Sequence, residues 1–232
     1  MQRILVLNPK GGSGKTTIAT NLAGYFASQG DRPLLFDNDP QGSSMRWLKK
    51  RGPNQPYVHG IAGYERNSRM TRSWQMRIPA ECAHVIVDTP AAVHAQDMPE
   101  MTKDASAIIV PVLPSDIDIH AFSKCIADLL LIAKVRRDEN RIGVVANRVK
   151  RNTLVYQSLM RFLETLRIPV IATLRDSQSY LKASEFGMGL HEMKPHLVAT
   201  DLEDWRPLLA WLNAKEPSWQ PLSGLSPLSE TA

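Results

Sequence analysis

Thiol chemistry is nearly absent from this chain, which has only Cys82 and Cys125 among its 232 residues. The two share no metal or redox spacing, so neither a disulfide framework nor a cysteine-built zinc site is available. Core packing in a reducing compartment is the expected role of both. None of the six histidines falls in an H-E-x-x-H or similar zinc pattern. No apolar run approaches the length of a membrane span, and the longest helical candidate is interrupted by charge. The first residues enter a strand pattern directly, so a signal peptide is not expected and a cytoplasmic location is. No internal repeat is visible, which excludes solenoids and propellers.

What the chain does have is an excess of base over acid. Its formal net charge of +5 leans toward an acidic partner such as nucleic acid, although charge alone identifies none. Hydrophobic content of 43% is enough for one large α/β domain with a substantial core. Residues 1–214 are read as that domain and residues 215–232 as a disordered tail. After Lys215 the tail holds three prolines and no lysine or arginine, so a basic amphipathic membrane helix is excluded there.

The most informative stretch is Asn8-Pro9-Lys10-Gly11-Gly12-Ser13-Gly14-Lys15-Thr16-Thr17. An apolar run, Ile4 to Leu7, precedes it, and Ile18, Leu22, Tyr25 and Phe26 share a helical face after it. Strand, glycine-rich loop and helix are the context of a phosphate-binding loop. Gly11, Gly12 and Gly14 let backbone N–H groups converge on phosphate oxygens, with Ser13 and Thr17 completing the cradle. The helix from Lys15 adds the positive end of its dipole. Lys15 can reach the β- and γ-phosphates of ATP, and the Thr16 hydroxyl is placed to ligate Mg²⁺. The plain G-x-x-x-x-G-K-[ST] pattern would need glycine where Pro9 stands; the chain has Lys10 before its paired glycines instead.

Further along, Leu34-Leu35-Phe36 reads as a buried strand ending in Asp37-Asn38-Asp39-Pro40-Gln41-Gly42. Carboxylates at the carboxyl end of a parallel strand lie where open α/β sheets place their chemistry. His84 to Asp88 is an apolar strand ending in an acid, the Walker B arrangement, whose carboxylate holds Mg²⁺ through a water. Additional strands are expected at 107–110, 143–146 and 170–172, and amphipathic helices around 119–133, 159–166 and 205–212. The expected fold is therefore α/β: a mostly parallel sheet with helices on both faces, of the P-loop NTPase type. Residues 43–80 are basic (Arg46, Lys49, Lys50, Arg51, Arg66, Arg69, Arg72, Arg77) with Trp47, Tyr57, Tyr64 and Trp74 interleaved. They fit a nucleic-acid stacking surface, a solvated helix face with half-buried anchors, or a partner surface.

The loop K-G-G-x-G-K-T-T resembles that of the ParA/MinD family of ATPases, and the resemblance extends loosely from residue 2 to about residue 213. It implies a homodimer sandwiching two ATP molecules, with Lys10 reaching the partner subunit's nucleotide. It also implies that Asp39 orients the attacking water, that Asp37 lies near the Mg²⁺ shell, and that Thr89-Pro90-Ala91-Ala92 senses the γ-phosphate. Asn147 would contact adenine. Basic residues Arg148, Lys150, Arg151, Arg175 and Lys182 would bind DNA without sequence preference, Arg151 and Lys182 matching the family's positions best. The chain resembles the short form of the family, and residues 174–178 look like its cargo-positioning branch. On this reading a cargo adaptor or ParB-like partner stimulates hydrolysis over the nucleoid. The alternative is a metabolic synthetase or amidase on the same loop, which would ignore DNA. An electron-transfer ATPase would need cluster-bridging cysteines, and neither Cys82 nor Cys125 follows a strand suitably.

Overall fold

The central strand is β1, Gln2–Val6, and its side chains explain the layering around it. Ile4 and Val6 point into one apolar cluster, with Ile18, Leu22 and Phe26 of helix α1 (Lys15–Ser28). Leu5, and Leu7 just beyond the strand, point into a second cluster on the opposite face. A strand buried on both faces is what a run of consecutive aliphatics predicts, because successive residues alternate sides. Each such side chain contributes roughly 2 kcal/mol of burial, so one polar replacement in β1 would unbalance both layers.

The computed structural model describes residues 1–65 and 78–215. Among them, seven parallel strands form one sheet in the order β3-β2-β4-β1-β5-β6-β7. The remaining strands are β2 (Leu34–Asp37), β3 (His59–Ala62), β4 (His84–Asp88), β5 (Ala107–Val112), β6 (Ile142–Val149) and β7 (Val170–Arg175). Between them run α2 (Ser43–Lys49), α3 (Met98–Thr102), α4 (Asp116–Leu131) and α5 (Leu154–Leu166); α6 (Ser179–Glu185) and α7 (Pro195–Asn213) follow β7. Helices α1 and α7 cover one face of the sheet, with Trp205, Leu208 and Leu212 buried. Helices α4 and α5 cover the other with Phe122, Cys125, Ile126, Leu129, Leu159 and Leu163.

The expected α/β architecture is present, with one more strand than the sequence suggested. Strand β3 is a four-residue edge strand with no apolar alternation, and its Gly60 lies under α2. A Cβ there would stand 2.2 Å from Leu48 Cδ2. Both cysteines are free and buried, as packing required, and burial pushes the Cys125 thiol up to about 12. No helix among the described residues is long and apolar enough to cross a membrane. Residues 66–77, holding four of the basic residues and Trp74, and residues 216–232 lie outside the described residues.

Because the sheet is parallel, all its carboxyl ends open on one side. Register brings three of them together: Val6 pairs with Asp88, and Asp37 with Asp88. The glycine loop, the 37–42 turn and the acid of β4 thus meet by topology.

Candidate functional site

The glycine loop leaves β1 through Asn8, whose amide is used twice. It donates to the carbonyl of Pro111 on β5 at 2.6 Å and accepts from the Lys10 N–H at 2.9 Å. Gly12 and Gly14 then adopt φ of 78° and 96°, a region that side-chain-bearing residues avoid. Gly14 is needed for space as well, since a Cβ would stand 2.1 Å from Asn147 Nδ2. That amide donates to the Ser13 carbonyl at 2.8 Å, and its oxygen accepts from the Arg148 N–H. Asn147 therefore buttresses the loop from β6, and both its polar groups are already engaged. Pro9 accepts from the N–H of Ala92, which itself has a positive φ of 59°. A non-glycine residue held there is backbone strain at the end of the 89–92 segment.

Inside this frame, Lys15 is only 6% exposed, and Nζ donates to the Lys10 carbonyl at 3.1 Å. Burial lowers its pKa, while Asp88 and Asp39 act to raise it. The Thr16 hydroxyl donates to Asp88 Oδ2 at 2.8 Å. Asp88 is fully buried, and desolvation pushes its carboxyl up to about 6. Its Oδ1 is buried with no hydrogen-bond partner among the described residues. A buried carboxylate oxygen without a donor is a costly arrangement for a fold to keep. Beside a threonine hydroxyl and the glycine loop, it fits a divalent cation or its water.

Asp37 behaves differently. Its two oxygens accept the N–H groups of Asp39 and Met45, each at 3.0 Å. The side chain thus shapes the turn carrying Asp39 and caps the start of α2, and burial raises its pKa. Asp39 lies half-buried on the rim, accepting from the Gln41 N–H at 2.9 Å. Lys10 reaches the other way, forming a 2.6 Å ion pair with Asp118 in the first turn of α4. A cavity of roughly 450 Å³ opens between the loop, Asp39 and the ends of β6 and β7. Gly11, Gly12, Gly14, Lys15, Thr16 and Thr17 line one side; Arg148, Arg175, Gln178 and Tyr180 line the other. Its size suits a nucleotide, and its charge suits phosphate.

The basic residues singled out in the sequence divide into two groups. Arg148 pairs with Asp176 at 3.4 Å, Arg151 with Asp204 at 3.0 Å, and Arg175 with both Asp204 and Asp201. Lys150 and Lys182 are exposed. In the 43–65 stretch, Trp47 is a core residue bonded to the Met188 carbonyl, and Arg51 is locked to Glu192. These two are therefore structural anchors, Trp47 fully rather than half-buried. Sequence reasoning missed Asn8, Asp118 and Ser44, all within hydrogen-bond reach of a site residue. The proline-flanked Asn8 and the Ser115-x-x-Asp118 capping pattern were available signals; Ser44 had none.

Comparison with known proteins bears on this arrangement. The CobQ/CobB/MinD/ParA nucleotide binding domain matches residues 4–190. A maintenance of carboxysome distribution protein A from Halothiobacillus neapolitanus is 26% identical over 82% of this chain and 87% of its own length. One from Gloeobacter kilaueensis is 34% identical over 50% of this chain and 51% of its own. Among solved structures, an ATP complex of a Cyanothece McdA variant superposes with a TM-score of 0.67 at 17% identity, covering 92% of this chain and 96% of that one.

Proposed function

The chain belongs to the CobQ/CobB/MinD/ParA nucleotide-binding family, and from that premise we propose that it is an ATPase of the cargo-positioning type. The observation that carries the reading is Asp88, a buried carboxylate with one clamped and one unclaimed oxygen beside a complete phosphate loop. The loop N–H groups and the N-terminus of α1 would hold the β- and γ-phosphates, with Lys15 neutralising them. Thr16 and Asp88 would hold Mg²⁺, which when bound supplies positive charge to the phosphates. Asp39 stands on the cavity rim to orient the attacking water, and Asp37 fixes the turn that carries it. Lys10 would leave Asp118 and reach the nucleotide of a second subunit.

The relatives' names support a cargo that is distributed, carboxysomes among the candidates; on the same reading an adaptor protein would stimulate hydrolysis. DNA would be the track, bound without sequence preference by the ATP-bound dimer over the nucleoid. The exposed Lys150 and Lys182 are the best-placed residues for phosphate contact; Arg148, Arg151 and Arg175 would have to share theirs with carboxylates. The test is ATP turnover and size-exclusion mass with ATP and Mg²⁺, in the presence and absence of duplex DNA. An ATP-dependent dimer retained by DNA supports the reading. Turnover by a monomer indifferent to DNA would support the metabolic alternative.

A further inference from the structure

Ser44 is the second residue of α2 and is fully buried. At the second position of a helix, no carbonyl of a preceding turn is available to a serine hydroxyl. This one crosses to a different strand and donates to Asp88 Oδ2 at 2.8 Å. The same oxygen receives the Thr16 hydroxyl at 2.8 Å, while Oδ1 receives nothing from the described residues. Two donors on one oxygen fix the rotation of the carboxylate and leave Oδ1 buried beside the phosphate loop with no partner among the described residues. Thr16 belongs to the phosphate loop; Ser44 belongs to the segment that carries Asp39.

That segment is suspended from the ends of β2 and β4. The Asn38 N–H donates to the Asp88 carbonyl at 2.9 Å, and Asp37 accepts from Asp39 and Met45. These bonds fix the main chain. The Ser44 hydroxyl is the side-chain tie between the Asp39 segment and the Asp88 carboxylate itself.

We propose that Ser44 is a positioning residue for hydrolysis, orienting the Asp88 carboxylate toward the metal and holding it in register with Asp39. The proposal rests on the nucleotide-hydrolysing reading given above. Loss of a hydrogen bond to a charged group typically costs one to two orders of magnitude in an equilibrium or rate that depends on it. Ser44→Ala is therefore expected to lower kcat roughly 10-fold with KM for ATP little changed. The Mg²⁺ concentration that half-saturates tight binding of a non-hydrolysable ATP analogue should rise by a similar factor. Affinity for the same analogue without Mg²⁺ should stay unchanged, because the loop and Lys15 are untouched. Ser44→Cys, nearly isosteric with a weak donor, should fall between the two.

Wild-type kcat and Mg²⁺ half-saturation in Ser44→Ala would overturn the proposal. So would a loss of Mg²⁺-free affinity in step with kcat, which would mark Ser44 as packing only. If the wild-type protein itself bound the analogue no better with Mg²⁺ than without, the functional reading would fall first and this proposal with it.

Discussion

Two buried carboxylates, Asp88 and Asp204, show how differently one chain treats the same group. Asp204 receives Arg151 at 3.0 Å on one oxygen and the Arg175 Nε at 2.9 Å on the other. Neighbouring Asp201 adds a second carboxylate to Arg175, whose pKa is raised chiefly by its hydrogen bond to Asp204. Tyr180 and Trp205 close the cluster with a 2.9 Å hydrogen bond. Among the described residues, Asp88 has two neutral hydroxyls on one oxygen and no partner on the other. Burying a charge is tolerated when it is paired, and Asp204 is paired. Asp88 carries an uncompensated share, which is why desolvation dominates its titration. A satisfied acid belongs to the architecture, whereas an unsatisfied one held rigidly beside a phosphate loop is kept for something that arrives.

The largest expected effect breaks the Asp88 side of the comparison. Lys15→Ala removes the buried cation proposed to face the phosphates, and turnover should fall by about 10³-fold or more with nucleotide affinity. Asp39→Ala should slow hydrolysis about 10²–10⁴-fold while ATP still binds. Turnover assays with analogue binding separate the two, and normal hydrolysis in the second variant would reduce Asp39 to a turn residue. Lys10→Ala should retain ATP binding but fail to form the ATP dimer by size exclusion.

Stability gives the sharper contrast, because the two acids should move it in opposite directions. Asp88 titrates at about 6 in the folded protein against about 4 when unfolded. The folded state therefore holds its proton longer. The contribution of Asp88 to the stability of the nucleotide-free protein is therefore greatest below about pH 4 and is lost as pH rises through 6. Asp88→Asn should abolish that slope and stabilise the nucleotide-free protein at pH 7–8 by roughly 3 kcal/mol, an order-of-magnitude figure. Asp204→Ala should destabilise by about 1–3 kcal/mol, moderated because both arginines reach solvent. Thermal melts from pH 4 to 8 check both. Destabilisation in both variants would mean that Asp88 is satisfied after all.

The same contrast explains what could be read from the sequence. The glycine loop, the acid ending β4 and the 37–42 turn are local patterns, each written within ten residues. Buried parallel strands announce themselves as aliphatic runs, so β1, β2, β4, β5, β6 and β7 were legible. Strand β3 was not, since His59-Gly60-Ile61-Ala62 is short, half-exposed and at the sheet edge. Helices α2, α3 and α6 span two turns or fewer, too short for a periodic signal. The partners of Arg151 and Arg175 sit on α7, 53 and 29 residues away in sequence. No spacing rule reaches that far, so five basic residues that looked alike proved to be three in ion pairs and two without one among the described residues. Ser44 was hidden for the same reason: its partner is 44 residues distant.

That division of the basic residues yields the smallest effect, and it decides whether Asp204 has any part in function. Phosphate contacts act through counterion release, so each lost contact weakens binding to all duplexes alike and lowers the salt slope by about one. Lys182 is exposed on α6, and its reversal to glutamate should cost DNA retention severalfold at moderate salt, doubled in logarithmic terms by a dimer. Melting temperature and ATP-driven dimerisation should not change. Arg151 is held by Asp204, so Arg151→Glu would place two carboxylates together and should lower stability while leaving DNA retention nearly unchanged. If Arg151→Glu lowers only stability, the Asp204 cluster is architectural and DNA contact falls to the exposed lysines. If Lys182→Glu leaves retention and salt slope unchanged, the α6 surface is not the track-binding face. A salt series of DNA retention with ATP, run beside thermal melts of the same variants, distinguishes these outcomes. The pairing geometry favours the first, because a guanidinium already 3.0 Å from a buried carboxylate must lose that partner to gain a phosphate.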